Sequence, residues 1–368
     1  MRRRTTSPAR RRPSLPVGLR VMPILLVFGA CSVVDSVSID YLHPGEVSFP
    51  AELRRVGVVN NVPPQSLIPP ELERPDGPRR PTDPVYFNGD ARLATEALAQ
   101  AIAGEDYFDE VIICDSALRQ TDRQPRQSAL SRGEVDKLVR LLDVDFLIAL
   151  ENLPMKCTEH VDFNEFEGDQ VGSLDLTVYP VLRIYLPHRN GPMATIATSD
   201  SIYWEAMGRS REQVRRRLVD EGELLREGSD FAGTVPLQKL LPHWRTVERS
   251  IFVSGSANMR DAAVHVRQGQ WPQAIALWEQ VYRQRKGRRI RMQAAFNLAL
   301  GYELNDSIDL ALEWIGKSAN LASEAHSKGK STYEQGLILK YQKELEERKA
   351  GYFLLDKQMG RFDEQQTP

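Results

Sequence analysis

Short apolar runs and helix-spaced apolar residues alternate along the first two thirds of the chain. Val56-Gly-Val-Val59 carries no polar alternation, the pattern of a strand covered on both faces. A proline-rich stretch from Pro63 to Pro84 cannot be a central strand, because proline brings no amide donor to a ladder, and it reads as a long loop. Leu93, Ala97, Leu98, Ala101 and Ile102 then recur at helical spacing, and Val111-Ile-Ile-Cys114 predicts a second strand. Ser131-Arg-Gly-Glu134 has the form of a capping box ahead of Val135, Leu138, Val139 and Leu142, and Phe146–Leu150 predicts a third strand. Strand, helix, strand, helix, strand implies right-handed crossovers and a sheet that is at least partly parallel. Two alternating runs, Leu174–Leu186 and Met193–Glu205, flank the turn-rich Pro187–Pro192 and predict a hairpin, so the sheet is expected to be mixed. Ser210-Arg-Glu-Gln213 is expected to cap a helix carrying Val214, Leu218 and Leu225, and residues 228–250 read as an irregular junction.

From about residue 257 the period is helical throughout and repeats. Ala262, Ala299 and Gly336 lie 37 residues apart, as do Ala274 and Ala311, and Trp278 follows Ala274 by four. Gly269-Gln-Trp271, Ala274, Trp278 and Val281, then Leu298, Ala299, Tyr302, Ala311 and Ile315, resemble tetratricopeptide repeats stretched by three residues. The resemblance implies two helical pairs and a closing helix over residues 332–349. Asn258 and Asp261 stand where such repeats are usually apolar, and a plain antiparallel stack of helical hairpins is the alternative. The expected fold is therefore an α/β N-terminal domain with a mixed sheet over residues 51–250. An all-α tetratricopeptide-like repeat domain over residues 251–350 and a C-terminal tail over residues 351–368 follow it.

Charge changes the picture at the N-terminus. Seven arginines and no acid precede the apolar run Val21–Ala30, which ends at Cys31. Ten apolar residues are too few to span a bilayer. The layout resembles a bacterial lipoprotein signal peptide over residues 1–30, which implies cleavage, acylation of Cys31 and a tether over residues 31–50. Phe28 departs mildly from the usual signal, and an ordinary secretory signal is the alternative. In the lipoproteins it resembles, a serine after the acylated cysteine is compatible with outer-membrane sorting, so the chain is expected in the cell envelope, facing the periplasm. Without those seven arginines the 48 basic residues fall to 41 against 50 acidic ones, a net charge of −9. An acidic chain is a poor generic nucleic-acid binder, and no nucleic-acid partner is expected. Cys114 and Cys157 suffice for one bridge in an oxidising compartment, or stay as two buried thiols.

The lipobox at Cys31, the strand Arg55-Val-Gly-Val-Val-Asn60, Pro242-His-Trp244 with Arg249, and Gly269-Gln-Trp271 together resemble an uncharacterised lipoprotein family of Bacteroidota-type envelopes. That resemblance implies no activity. Cys157-Thr-Glu-His160 with Asp162 groups ligand-type residues, but no second cluster completes a zinc site, and no metal or other cofactor is expected. The acidic segment Asp162–Asp169 misplaces the glycine of a calcium loop. The basic cluster Arg283–Arg291 reads as a solvated connector, with an anionic lipid surface or an acidic partner as the alternative. No nucleophile elbow, zinc-protease pair or phosphate loop occurs. The expected role is a membrane-tethered adaptor or scaffold that binds a protein or peptide through its helical module, with His265, Asn297 and Glu303 as exposed contact residues. An enzyme with a cleft near His243 and Trp244, or a purely structural component, is the rival reading.

Overall fold

The computed structural model describes residues 34–63, 83–114, 116–120, 129–166, 168–325 and 333–363. The expected signal at residues 1–30 and the acylation site Cys31 lie outside them. The first described segment corrects the expected tether: Val34–His43 is a strand, β1. Val37, Ile39 and Tyr41 alternate with Ser36, Ser38 and Asp40, a period of two that suits a half-covered strand.

The three apolar runs form strands as expected. β2 (Arg55–Asn60) pairs in parallel with β4 (Glu110–Cys114) on one side and β5 (Phe146–Asn152) on the other. Between them come β3 (Val85–Asn88), the helix α1 (Ala91–Gly104) and α2 (Arg132–Leu142). The Ser131–Glu134 capping box is closed in both directions. Val56 and Val58 face the α1 side, while Val59 packs with Val135 and Leu138 of α2.

The two long alternating runs each break in the middle and serve two sheets. β6 (Pro154–Asn164) and β7 (Asp169–Val178) are followed by β8 (Val181–Tyr185), β9 (Ala194–Ala197) and β10 (Asp200–Gly208). β8 and β9 form the expected hairpin and extend the first sheet to the order β4-β2-β5-β8-β9, parallel then antiparallel. β7 and β10 pair in a second, antiparallel sheet of order β10-β7-β6-β3. Cys157–Asp162 lies on the strand β6. Its alternation sends Cys157 and Glu159 to one face and His160 and Asp162 to the other, so they cannot converge on one ion. Cys114 and Cys157 sit in different sheets as free thiols.

The helix expected over Val214–Leu225 is two helices, α3 (Arg211–Arg215) and α4 (Glu221–Thr234), because Asp220 starts a new one by accepting from the Glu223 amide. α4 packs between the sheets against α1, so closely that a Cβ on Gly233 would lie 2.5 Å from the Ala94 carbonyl. The stretch read as an irregular junction holds the rest of α4, α5 (Leu237–Leu240) and β11 (His243–Phe252), which pairs antiparallel with β1 along its whole length.

The second half is all helical: α6 (Ala257–Arg267), α7 (Trp271–Gln284), α8 (Arg288–Leu304), α9 (Ile308–Ala325) and α10 (Tyr333–Asp363). Gly269 turns α6 into α7 at φ +71°, a backbone state other residues adopt only at a cost. Ala262, Ala274, Ala299, Ala311 and Trp278 are all fully buried, whereas Gly336 is exposed and breaks the third copy of the 37-residue offset. The expected tail after residue 350 is corrected as well. α10 runs 31 residues, about 46 Å at 1.5 Å per residue, long enough to join both cores. Its first half packs Ile338, Tyr341 and Leu345 into the helical core. Its end enters the α/β core, where Gln358 bonds Gly45 and Val47 and Arg361 lies over Tyr107.

Candidate functional site

The β1–β11 ribbon joins the two halves, and Arg249 is its one buried charge among the described residues. Opposite it, α8 is covered all round, with every residue from Met292 to Gly301 buried. A helix so enclosed can carry a charge only if that charge is paired. Glu303 meets that condition: it is 0% exposed, and four donors converge on it. Arg249 Nη2 and Arg348 Nη1 donate to Oε1 at 2.9 and 3.0 Å. Arg249 Nε and the Tyr341 hydroxyl donate to Oε2 at 3.0 and 2.7 Å. Arg249 reaches on to Glu344 at 2.8 Å, and Arg348 to Asp306 at 2.6 Å.

Burial alone would raise the Glu303 carboxyl, but Arg249 beside it, with Tyr341 and Arg348, holds it below the usual range. Burial and the same carboxylate push the Tyr341 phenol well up. A carboxylate has about four lone-pair sites, and all are taken. Glu303 therefore has no acceptor left for a substrate proton; it is a joint. Asn297 acts similarly one level up, accepting from the Phe252 amide at 2.9 Å and donating to the Phe252 carbonyl at 2.8 Å.

The expected exposure of Asn297 and Glu303 is thus corrected: both are fully buried and face β11 rather than solvent. His265 stays partly exposed and bonds Gln270 at the α6–α7 turn, so the three do not form one surface. The signal for Glu303 was present in the sequence as the only acid of α8, between Tyr302 and Leu304.

Beside the joint, a cleft of about 450 Å³ opens between β1, the end of α8 and α10. Tyr41, Leu42, Trp244, Tyr352 and Leu355 line it, with Asp306 among its polar groups. Trp244 is 73% exposed. Burial, then Asp306, raises the Tyr352 phenol. His243 lies half-buried near the foot of the ribbon, its ring 5.3 Å from that of His43, and burial keeps its pKa below the ordinary value. A second polar cluster, unforeseen from the sequence, caps the parallel strands. Glu151 accepts from Tyr185 at 2.6 Å and from Asn61 at 2.9 Å, and burial raises its pKa.

The joint coincides with a boundary between two family matches. Residues 53–252, more than half of the chain, match a family described as Domain of unknown function (DUF8603). The chain belongs to this family. Residues 260–347 match a second, Domain of unknown function (DUF6340). No curated protein matches the chain. Arg249 lies within the DUF8603 segment and Glu303 within the DUF6340 segment, so the buried ion pair fastens one to the other. β1 and the end of α10 lie outside both matches and close the junction from either side.

Proposed function

We propose that the chain is a membrane-tethered lipoprotein of the cell envelope, acylated at Cys31 and facing the periplasm from the outer membrane, that serves as a protein-binding scaffold. The layout before Cys31 supports the tether, and the resemblance to Bacteroidota-type envelope lipoproteins supports the setting. The helical half is read as tetratricopeptide-like on its buried alanines at 37-residue spacing. In such a module α8 would turn toward a bound peptide, but β11 already lies along it, held by Asn297 and Arg249. The partner surface therefore moves to the cleft beside the ribbon.

The observation that carries this reading is Trp244, a large aromatic left mostly in solvent at the mouth of a cleft where Arg348 is spent on Glu303 and Asp306. Exposed aromatics flanked by polar groups are the usual anchors of protein recognition. The fitting partner is a polypeptide that places an apolar side chain against Trp244 and Tyr352. A photo-crosslinking residue at position 244 should give one discrete protein adduct in intact cells, and none from a control position at Arg189. Absence of an adduct at 244 defeats the reading. The tether is tested separately: Cys31→Ala should release the protein from the membrane fraction, since acyl chains contribute about 0.8 kcal/mol per buried CH₂.

A further inference from the structure

The ribbon register fixes where the chain's N-terminal segment leaves the fold. Val34 pairs with Phe252 and His43 with His243. Phe252 is clamped to Asn297 and Arg249 to Glu303, so β11 runs antiparallel to α8, and its Phe252 end points toward the start of that helix. Gly255, just beyond, continues in that direction: a Cβ there would lie 3.3 Å from Ile290. Cys31 precedes Val34 by three residues, a reach of about 10 Å. Asn297 stands nine residues above Arg288, about 14 Å along the helix axis. The reach of Cys31 thus covers most of the distance from the ribbon's end to the connector between α7 and α8.

That connector holds the densest basic cluster of the chain after Cys31. Arg283, Arg285, Lys286, Arg288 and Arg289 are all exposed. Arg283 pairs with Glu279 and Arg289 with Glu334, while Arg285 and Lys286 meet no acidic group among the described residues. The rest of the processed chain is net acidic and is repelled by an anionic bilayer. We propose that the α7–α8 connector is a membrane-contact surface: Arg285 and Lys286 rest on anionic lipid headgroups at the end of the molecule from which the anchor emerges. The position of the anchor rests on the acylation proposed above; the connector's affinity does not. Two weak attachments together fix orientation as well as residence, since a tether alone leaves the body free to swing.

The test uses the chain from Ser32, which keeps both hydrophobic cores whole and carries neither Cys31 nor the seven arginines. Flotation is measured with vesicles of pure phosphatidylcholine and with vesicles containing phosphatidylglycerol, at low and high salt. Preference for the anionic vesicles, lost at high salt, is expected. Each basic residue near the surface contributes about fivefold in partition, so R285A/K286A should lower binding to anionic vesicles about 25-fold. The equally charged control R189A/R216A should bind as the parent chain does. Equal binding by parent and R285A/K286A overturns the proposal, as does an equal loss in the control, which would assign the effect to net charge. Binding to polyglutamate without binding to vesicles also overturns it, in favour of an acidic protein partner. Because Cys31 is absent, none of these outcomes bears on whether the anchor exists.

Discussion

Replacing Glu303 by Gln removes one charge from the centre of the joint and keeps its size. The carboxylate accepts four hydrogen bonds, two on each oxygen. Whichever way a Gln amide turns, its NH₂ group points at two donors, and two buried guanidinium groups lose their shared counter-ion. Removing one partner from a buried ion pair costs about 3 to 5 kcal/mol. Arg249 still has Glu344, and Arg348 still has Asp306, which is exposed. These partners place the loss at the lower end, about 3 kcal/mol. With a urea dependence of roughly 3 kcal/mol/M, the midpoint of unfolding followed by tryptophan fluorescence should fall by about 1 M. Acid should show the same group. The folded pKa of Glu303 lies below its ordinary value of 4.5, so its contribution is present above that value and is lost as pH falls through the folded pKa. The wild type should therefore weaken below about pH 4.5 more steeply than Glu303→Gln. The double change Arg249→Met with Glu303→Leu removes one buried charge with its counter-charge but leaves Arg348 and the Tyr341 hydroxyl without their shared acceptor, so it should recover only part of the loss. A Glu303→Gln midpoint equal to that of the wild type would show that the joint carries no weight.

Two further outcomes follow from the helical half. Asn297→Ala strips the Phe252 amide and carbonyl of their partner in a fully buried site, at about 1 to 3 kcal/mol for each group; loss of hydrogen-exchange protection at the Phe252 amide checks it. Trp278→Ala empties the space between α7 and α8 and should cost about 3 to 5 kcal/mol in urea unfolding. Trp278→Phe should cost less, since the indole N–H has no acceptor to lose among the described residues.

Local pattern was enough for the elements whose residues answer to one neighbour layer. β2 and β5 are apolar runs because both faces are covered, and α2 announces itself through Ser131 and Glu134, which satisfy each other within one turn. The alanines at 37-residue spacing and Trp278 are legible because apolar residues at helical spacing mark the buried stripe of their helices. What the pattern could not carry is anything set by a partner far along the chain. β1 looks like a spacer until β11, some 200 residues later, supplies its ladder. Asn297 and Glu303 read as solvated polar groups on helices, yet tertiary structure buries them because a strand from the other half brings Arg249 and the Phe252 backbone to meet them. Residues 351–363 look like a tail, but α10 continues because its end finds Gly45, Val47 and Tyr107 in the α/β core. The sequence by itself determined the buried strands, the capped helix α2 and the two classes of fold. Only the tertiary structure decided which polar groups are joints and which are surface, because the cost of burying a charge depends on the neighbours that meet it.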